Sequence, residues 1–136
     1  MKSRGQAGIS LVELLVVLTI LSMAAGIAGI SISRVLPTLV LRQAASSLEA
    51  DLQRARTLSL TQVEAVEISF EQGGYTIEKL DLQKILPQDA FVNWSGGETL
   101  LFSAGVPNLG GVVSIRKGGR EVSIRVEPYT GRVSRH

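Results

Sequence analysis

The sequence predicts an α+β fold in which one long N-terminal helix is followed by an antiparallel, β-rich head. Two observations carry this prediction. From Ile9 to about Val63 the apolar residues either run together or recur with the spacing of a helix. From residue 66 onward they alternate with polar residues, as in half-buried strands, and pairs of glycines separate the alternating runs.

The N-terminus joins a short basic segment to a long apolar one. Residues 1–8 carry Lys2 and Arg4 without an acid, and residues 9–32 carry a single charge, Glu13. As a helix, the apolar segment would extend about 36 Å, enough to cross a hydrocarbon core of about 30 Å. The positive flank predicts a cytoplasmic N-terminus, with the rest of the chain on the outer side of the membrane.

A cleaved secretory signal and a plain membrane anchor are the ordinary interpretations of this segment. The apolar run is longer than the hydrophobic region of about 7–15 residues in a signal peptide, and no small-residue cleavage site follows it. A plain anchor leaves Glu13 unexplained, because an ionised carboxylate at membrane depth costs about 2.5–3.5 kcal/mol. Glu13 is therefore expected to have a partner.

A partner arises if the chain is cut between Gly8 and Ile9. The cut creates a new α-amine about one helical turn from Glu13. The carboxylate of one subunit could then pair with the amine of its neighbour, which would cancel two charges in a layer of low dielectric constant. The apolar segment would remain on the mature protein, both as an anchor and as a packing surface.

The second half of the helix, residues 33–63, is predicted to be amphipathic. Pro37 has no amide N–H and disfavours helix at the preceding residue, so a kink or short break is expected there. Arg54 and Arg56 are expected on a solvated face, and the apolar stripe is expected to pack on a sheet. The stripe consists of Leu41, Ala45, Leu48, Leu52 and Ala55.

Residues 64–136 are predicted to form the head, with six or seven short strands in one sheet. Three glycine pairs, 73–74, 96–97 and 118–119, are expected to turn the chain, and residues 104–111 to form a loop. The expected strands are 66–71, 75–80, 91–94, 99–103, 113–116, 122–126 and 132–134.

The composition argues against most enzyme chemistry. The chain has no cysteine, which excludes disulfides, thiolate metal sites and a cysteine nucleophile, and its one histidine is His136. Asp81 and Asp89 lie in loop-like sequence at a spacing that fits neither a metal motif nor a catalytic pair. We therefore expect no catalytic residue, no metal site and no cofactor.

Charge is distributed unevenly along the head. Residues 43–100 carry four basic and nine acidic side chains, whereas residues 116–136 carry six basic and two acidic ones. A chain with an acidic middle and a basic end could bind an anion at that end or dock head to tail with related subunits. Two solvated faces would give the same distribution.

The segment from Gly8 to Leu18 combines a short basic leader, a glycine, and Glu13 placed four residues after Ile9 in a long apolar run. This pattern resembles the class III leader junction of type IV pilins and type II secretion pseudopilins. The resemblance implies that a prepilin peptidase cuts after Gly8, removes residues 1–8 and methylates the amine of Ile9. It also implies that Glu13 acts in subunit assembly. One departure is Ile9 itself, where Phe or Met is commoner in the family.

The head also contains recognisable features: Leu86-Pro87, then Phe102 and the loop 105–111, then the segment 131–133. Together with the predicted order of elements they resemble the minor pseudopilin H of type II secretion and the FimT-type minor pilins. The resemblance implies a pilin-like fold and a structural role as a minor pseudopilin. Such a subunit lies near the tip of a periplasmic pseudopilus, or initiates it, and the filament drives export of folded proteins across the outer membrane.

The same resemblance implies partners and a location. The implied partners are the prepilin peptidase, other major and minor pseudopilins, the inner-membrane assembly platform, secreted substrates and the lipid bilayer. The implied location is the bacterial inner membrane, crossed once by residues 9–32, with residues 64–136 as a periplasmic head.

A minor pilin of a type IV pilus is the alternative, because it would have the same leader and a similar head. Such a subunit could bind DNA for natural transformation through Arg132 and Arg135, since phosphate contacts come from Lys and Arg. FimT-type DNA binders carry Gly-Arg-x-Arg at this end, whereas here Ser134 replaces the second Arg and Arg135 follows one residue later. A shift of one residue in a strand turns the side chain to the opposite face, so nucleic acid is not the expected partner.

Overall fold

The computed structural model describes residues 10–136, except for the side chains of residues 27–34. The chain divides into two units, Met1–Leu36 and Pro37–His136, and one helix, α1 (Leu11–Gln62), contributes to both. The helix continues through Pro37, so the predicted short break does not occur. A helix can pass a proline at the cost of one backbone hydrogen bond, and the predicted kink at Pro37 stays a prediction.

The helix ends where the backbone changes hand. Val63, the first residue after α1, has a φ of 54°, in the left-handed region that often follows a last helical residue. A β-branched residue is unusual there, because its side chain crowds the backbone. The predicted end at about Val63 is confirmed to within one residue.

The predicted apolar stripe of α1 is confirmed, because all five of its residues are buried in the core of the second unit. Ser59 continues the stripe by one more turn and is also buried. Full burial of one leucine side chain is worth about 1.5–3 kcal/mol. The buried apolar side chains of the described residues lie between Leu41 and Val133, so Pro37–His136 contains a complete hydrophobic core.

Nine strands follow the helix and form two antiparallel sheets. They are β1 (Val66–Glu71), β2 (Gly74–Ile77), β3 (Leu82–Ile85), β4 (Ala90–Trp94), β5 (Thr99–Ser103), β6 (Val106–Pro107), β7 (Gly111–Lys117), β8 (Arg120–Val126) and β9 (Val133–Arg135). Sheet A has the order β3-β2-β1-β5-β6, and sheet B has the order β4-β7-β8-β9. The β7–β8 hairpin turns at Gly118-Gly119, as predicted.

The prediction of six or seven strands in one sheet is wrong in two respects. The head has two sheets, because β4 pairs with β7 and not with the strands that precede it. The strands β3 and β6 were not predicted. In β3 no residue is buried, so no alternation shows in the sequence, and β6 is a two-residue strand within the expected loop 104–111.

The predicted strand 75–80 is shorter than expected. It ends at Ile77, and Glu78–Leu80 form a turn of 3₁₀ helix followed by Asp81 in the left-handed region. Leu80 therefore packs at the edge of the core from a turn. The apolar spacing alone could not distinguish this turn from a continuing strand.

The inner faces of both sheets share one core with the helix. Ile68 and Phe102 from sheet A and Ile115 and Ile124 from sheet B are fully buried in a cluster that includes the stripe of α1. Trp94 is also in this core, with its ring centroid 6.0 Å from that of Phe70. Residues distant in sequence therefore hold the helix and both sheets together.

A buried polar pair connects α1 to sheet A. The Tyr75 hydroxyl donates a hydrogen bond of 2.7 Å to Oδ2 of Asp51, whose side chain is almost completely buried. Arg54, which is mostly exposed, lies 3.4 Å from the other carboxylate oxygen. Burial raises the pKa of Tyr75 well above its usual range, and the Asp51 carboxylate raises it further.

We expect Tyr75→Phe to lower the free energy of unfolding of the head by about 1–3 kcal/mol, because the buried Asp51 carboxylate loses its hydrogen-bond donor. The raised pKa means that the neutral phenol stabilises the fold below the unfolded pKa of about 10 and that this contribution is lost as pH rises further. Urea unfolding between neutral and alkaline pH should show a fall above about pH 10 that is reduced in Tyr75→Phe.

The control is Tyr129→Phe, because Tyr129 is 88% exposed. It should change neither the neutral-pH stability nor the alkaline fall appreciably. Equal effects of the two substitutions would contradict the structural role of the Asp51–Tyr75 pair.

Candidate assembly site and basic C-terminus

Glu13 lies in the first turn of α1, where a carboxylate interacts favourably with the positive end of the helix dipole. This turn is closed by a hydrogen bond of 3.1 Å from the Leu14 amide to the Ser10 carbonyl. Within residues 10–26 and 35–136, whose side chains are described, Glu13 makes no ion pair. Its predicted partner, the amine of Ile9, and the predicted cleavage site after Gly8 lie outside the described residues.

The helix around Glu13 is apolar on all sides. Every residue from Leu11 to Gly26 is exposed, including Leu11 at 77% and Met23 at 70%. Two hydroxyls in this segment donate to carbonyls one turn earlier, Thr19 to Leu15 and Ser22 to Leu18, each at 2.8 Å. This segment therefore presents a continuous apolar surface whose hydroxyl groups are satisfied within the helix.

The described residues include no helical segment with both the length and the hydropathy of a membrane span. The predicted membrane segment 9–32 includes Ile9, which lies outside the described residues, and residues 27–32, whose side chains are not described. The membrane location stays a prediction.

In the head, the C-terminal half of α1 is joined to two loops by one arginine. Arg56 Nε donates to the carbonyl oxygen of Gly105 at 3.2 Å, and Nη2 donates to that of Thr130 at 2.9 Å. The buried Ser59 hydroxyl accepts a hydrogen bond of 3.0 Å from the amide of Gly105. The expectation that Arg56 lies on a solvated face is wrong, because its guanidinium binds the loop between β5 and β6 of sheet A and the loop between β8 and β9 of sheet B.

Gly105 and Gly131 permit this close approach. Both have positive φ, 77° and 62°, and a Cβ at Gly131 would overlap the carbonyl oxygen of Gly105 and crowd Arg56. A Cβ at Gly105 would overlap the side chain of Leu60. The glycine of the segment 131–133 is therefore required by the packing of the head, independently of any ligand.

The structure does not bring Arg132 and Arg135 to one face. Arg132 is exposed and lies before β9, whereas Arg135 lies within β9 and forms an ion pair of 3.3 Å with Glu49 of α1. Arg135 is two residues beyond the buried Val133, and therefore on the side of the sheet that faces the helix. The predicted consequence of the one-residue shift agrees with this geometry.

Two elements of this region were missed from sequence, although signals for both are present. Ser59 follows Ala55 by four residues and extends the apolar stripe to a polar position. Asp51 follows Leu48 by three residues and so lies at the border of the stripe. A polar residue at a stripe position predicts a buried hydrogen bond.

Comparison with known proteins agrees with the prediction for the N-terminal segment and with the observed fold. Residues 3–29 match the prokaryotic N-terminal methylation motif. Two crystal structures of the type IV minor pilin FimU from Pseudomonas aeruginosa strain PAO1, in space groups P21 and P65, are similar to this chain, with TM-scores of 0.60 and 0.59. The chain has a pilin-like fold.

The similarity to FimU covers 71% of this chain and 87% and 92% of the two FimU chains, at 19% sequence identity in each case. No protein with a curated function matches the sequence. The pilin-like fold and the methylation motif together confirm the predicted resemblance to type IV pilins and pseudopilins. At this level of identity, the similarity to the FimU structures shows only that the folds are alike.

The role of Gly131 can be tested by comparing its substitution with that of Gly118, which also has a positive φ but is not crowded. We expect Gly118→Ala, at φ 55° with open space around it, to cost about 1–2 kcal/mol from backbone strain alone. Gly131→Ala should cost about 3 kcal/mol or more, because Gly105 and Arg56 must also move. Urea unfolding of residues 37–136 measures both values. Equal costs would mean that the junction is not tightly packed around Gly131.

Proposed function

We propose that this chain is a minor structural subunit of a pilin-like filament and that none of its residues performs catalysis. The observation that carries the proposal is the methylation motif at residues 3–29, which includes the exposed apolar part of the helix and precedes a head with its own hydrophobic core. In this proposal a prepilin peptidase cuts after Gly8 and methylates the amine of Ile9. The leader, residues 1–8, is absent from the mature subunit.

The apolar segment then has two successive environments. Before assembly, residues 9–32 hold the subunit in the inner membrane, with the head in the periplasm. After assembly, the same surface packs against the helices of neighbouring subunits. Glu13 pairs with the Ile9 amine of a neighbour, which offsets the cost of about 2.5–3.5 kcal/mol of placing a carboxylate at membrane depth and fixes the stagger between adjacent helices.

The filament in question is proposed to be the pseudopilus of a type II secretion system. There the subunit lies near the tip or initiates assembly, contacts other major and minor pseudopilins and the inner-membrane assembly platform, and assists export of secreted substrates. A type IV pilus is the alternative machine, and the similarity of the fold to the type IV minor pilin FimU supports it equally.

DNA binding is the less favoured role within that alternative. Arg135 is engaged by Glu49, and its side of β9 faces the helix. Of the two residues proposed as contacts, Arg132 alone is solvent-exposed without an ion pair in the described part of the chain. One available arginine falls short of the paired arrangement that the Gly-Arg-x-Arg motif would provide.

We expect Glu13→Ala to leave processing at Gly8 largely intact but to impair incorporation into filaments, because the alanine cannot pair with the neighbouring amine. Glu13→Gln, which keeps the shape and removes the charge, should behave like Glu13→Ala. Processing is measured by the shift in mobility of the full chain, and incorporation by the amount recovered with the isolated filaments. Normal incorporation of both variants would refute the pairing.

A clean deletion strain distinguishes the two machines. Exoprotein release, surface piliation and DNA uptake are assayed in one set of cultures. We expect loss of exoprotein release with piliation intact. Loss of piliation or DNA uptake with normal secretion would assign the subunit to a type IV pilus, and loss of none of these would contradict both assignments.

A further inference from the structure

Sheet A has an open edge at β3. In the order β3-β2-β1-β5-β6 this strand is at one end, and no described strand pairs with its outer side. None of the four residues of β3 is buried, and Ile85 is 83% exposed. An end strand of this kind has unpaired backbone groups, which are a template for pairing with a further strand.

The register of β3 on β2 shows which of its backbone groups are unpaired. The Leu86 amide donates a hydrogen bond of 2.8 Å to the carbonyl of Gly73, and the β2–β3 pairing continues in this register. In an antiparallel pair, residues that bond to the partner strand alternate with residues whose backbone groups point away from it. Lys84 therefore bonds to β2, whereas the N–H and C=O groups of Gln83 and Ile85 face the open side.

A groove of about 260 Å³ lies between the end of β3 and α1, and we call it the edge groove. Its helix wall includes Val40, Ala44 and Ser47, which are half-buried on one face of α1. The buried Tyr75 also lines it, and Asp51 holds the Tyr75 hydroxyl in place. Small-molecule sites typically enclose about 300–1,000 Å³, so the edge groove has room for one or two side chains rather than for such a ligand.

Lys84 determines which side chains would fit the edge groove. It lies opposite Tyr75, on the side of sheet A that faces α1, so the residue opposite Lys84 on an added strand would point to the same side. Lys84 is exposed and forms no ion pair with the residues whose side chains are described, and none of the residues that line the groove is acidic. A carboxylate on the added strand would supply the missing partner. The β3 strand of a second copy would instead bring two lysines close together, which disfavours self-pairing.

We propose that β3 and the edge groove bind an extended acidic segment of a different protein, which adds to sheet A as a further antiparallel strand. Gln83 and Ile85 form backbone hydrogen bonds with the segment, and Lys84 pairs with its carboxylate. An apolar side chain next to the carboxylate on the same side of the segment enters the groove. In this mode of recognition, main-chain bonds give affinity and alternate side chains give specificity. The site goes beyond the proposed function, since it requires neither Glu13 nor incorporation into a filament.

The test uses the full-length chain in detergent and the peptide Ser-Val-Thr-Glu-Thr-Val-Ser-amide with a fluorophore on its N-terminus. With its glutamate opposite Lys84, the valines face the groove side and the threonines exchange hydrogen bonds with Gln83 and Ile85. Binding is measured by fluorescence anisotropy, and strand addition by amide hydrogen exchange. We expect a Kd below about 1 mM and slower exchange of the Gln83 and Ile85 amides when the peptide is bound.

Changes in the peptide test the backbone contacts without altering the protein. N-methylation of both threonines should weaken binding about tenfold or more, because it removes the donors that face β3. The matched control is N-methylation of both valines, whose amides face away from β3, and it should leave the affinity nearly unchanged.

A charge reversal tests the contact of Lys84 with the acidic residue. Lys84→Glu should weaken binding of the glutamate peptide about fivefold and should prefer the peptide with lysine in place of glutamate, because opposite charges are then restored across the pair. The matched control is Arg120→Glu, which makes the same change in net charge at an exposed residue of sheet B. It should bind the glutamate peptide like the wild type.

Four outcomes would overturn the inference. These are no binding of the glutamate peptide, equal binding of the two N-methylated peptides, a charge preference that Lys84→Glu does not reverse, and binding that leaves exchange at Gln83 and Ile85 unchanged. Slower exchange of these two amides on raising the concentration of the chain alone would also overturn it, because the occupant of the edge would then be a second copy.

Discussion

The head depends on one face of α1 being covered by two sheets at once. The stripe from Leu41 to Ala55 lies in one core with buried residues from the inner faces of both sheets. Sheet A is joined to the helix through Tyr75 and Asp51, and sheet B through Arg135 and Glu49. The helix is thus the element that brings two otherwise separate sheets into one core.

A second constraint acts near the C-terminal end of α1, where the loops that contain Gly105 and Thr130 approach Arg56. The guanidinium has a rigid, planar set of donors, so it can bind the carbonyls of Gly105 and Thr130 only if both loops lie close to the helix. That proximity excludes a side chain at Gly105 and at Gly131. Gly105 and Gly131 are therefore explained by the packing of these loops on the helix.

Periodicity predicted the helix, its buried stripe and the strands whose inner residues are buried on alternate positions, such as Val66–Glu71 and Arg120–Val126. It could not predict Leu82–Ile85, because an edge strand with no buried residue has no alternation to detect. It also could not predict the division into two sheets. The partner of Ala90–Trp94 is decided by long-range packing of its inner face, which local sequence does not encode.

Some residues of the candidate site could likewise be identified from the sequence, whereas the roles of others required the structure. The methylation motif is a pattern of residues in order along the chain, so Gly8, Ile9 and Glu13 could be proposed from the sequence alone. The roles of the C-terminal arginines depend on which side of the sheet each side chain occupies. Arg135 belongs to the fold because β9 turns it toward Glu49, whereas Arg125 faces outward because its strand alternates the other way. The sequence carries the same charges whichever way these side chains point. Only the pairing register of β8 with β9 distinguishes Arg135, which pairs with Glu49, from Arg125, which faces outward.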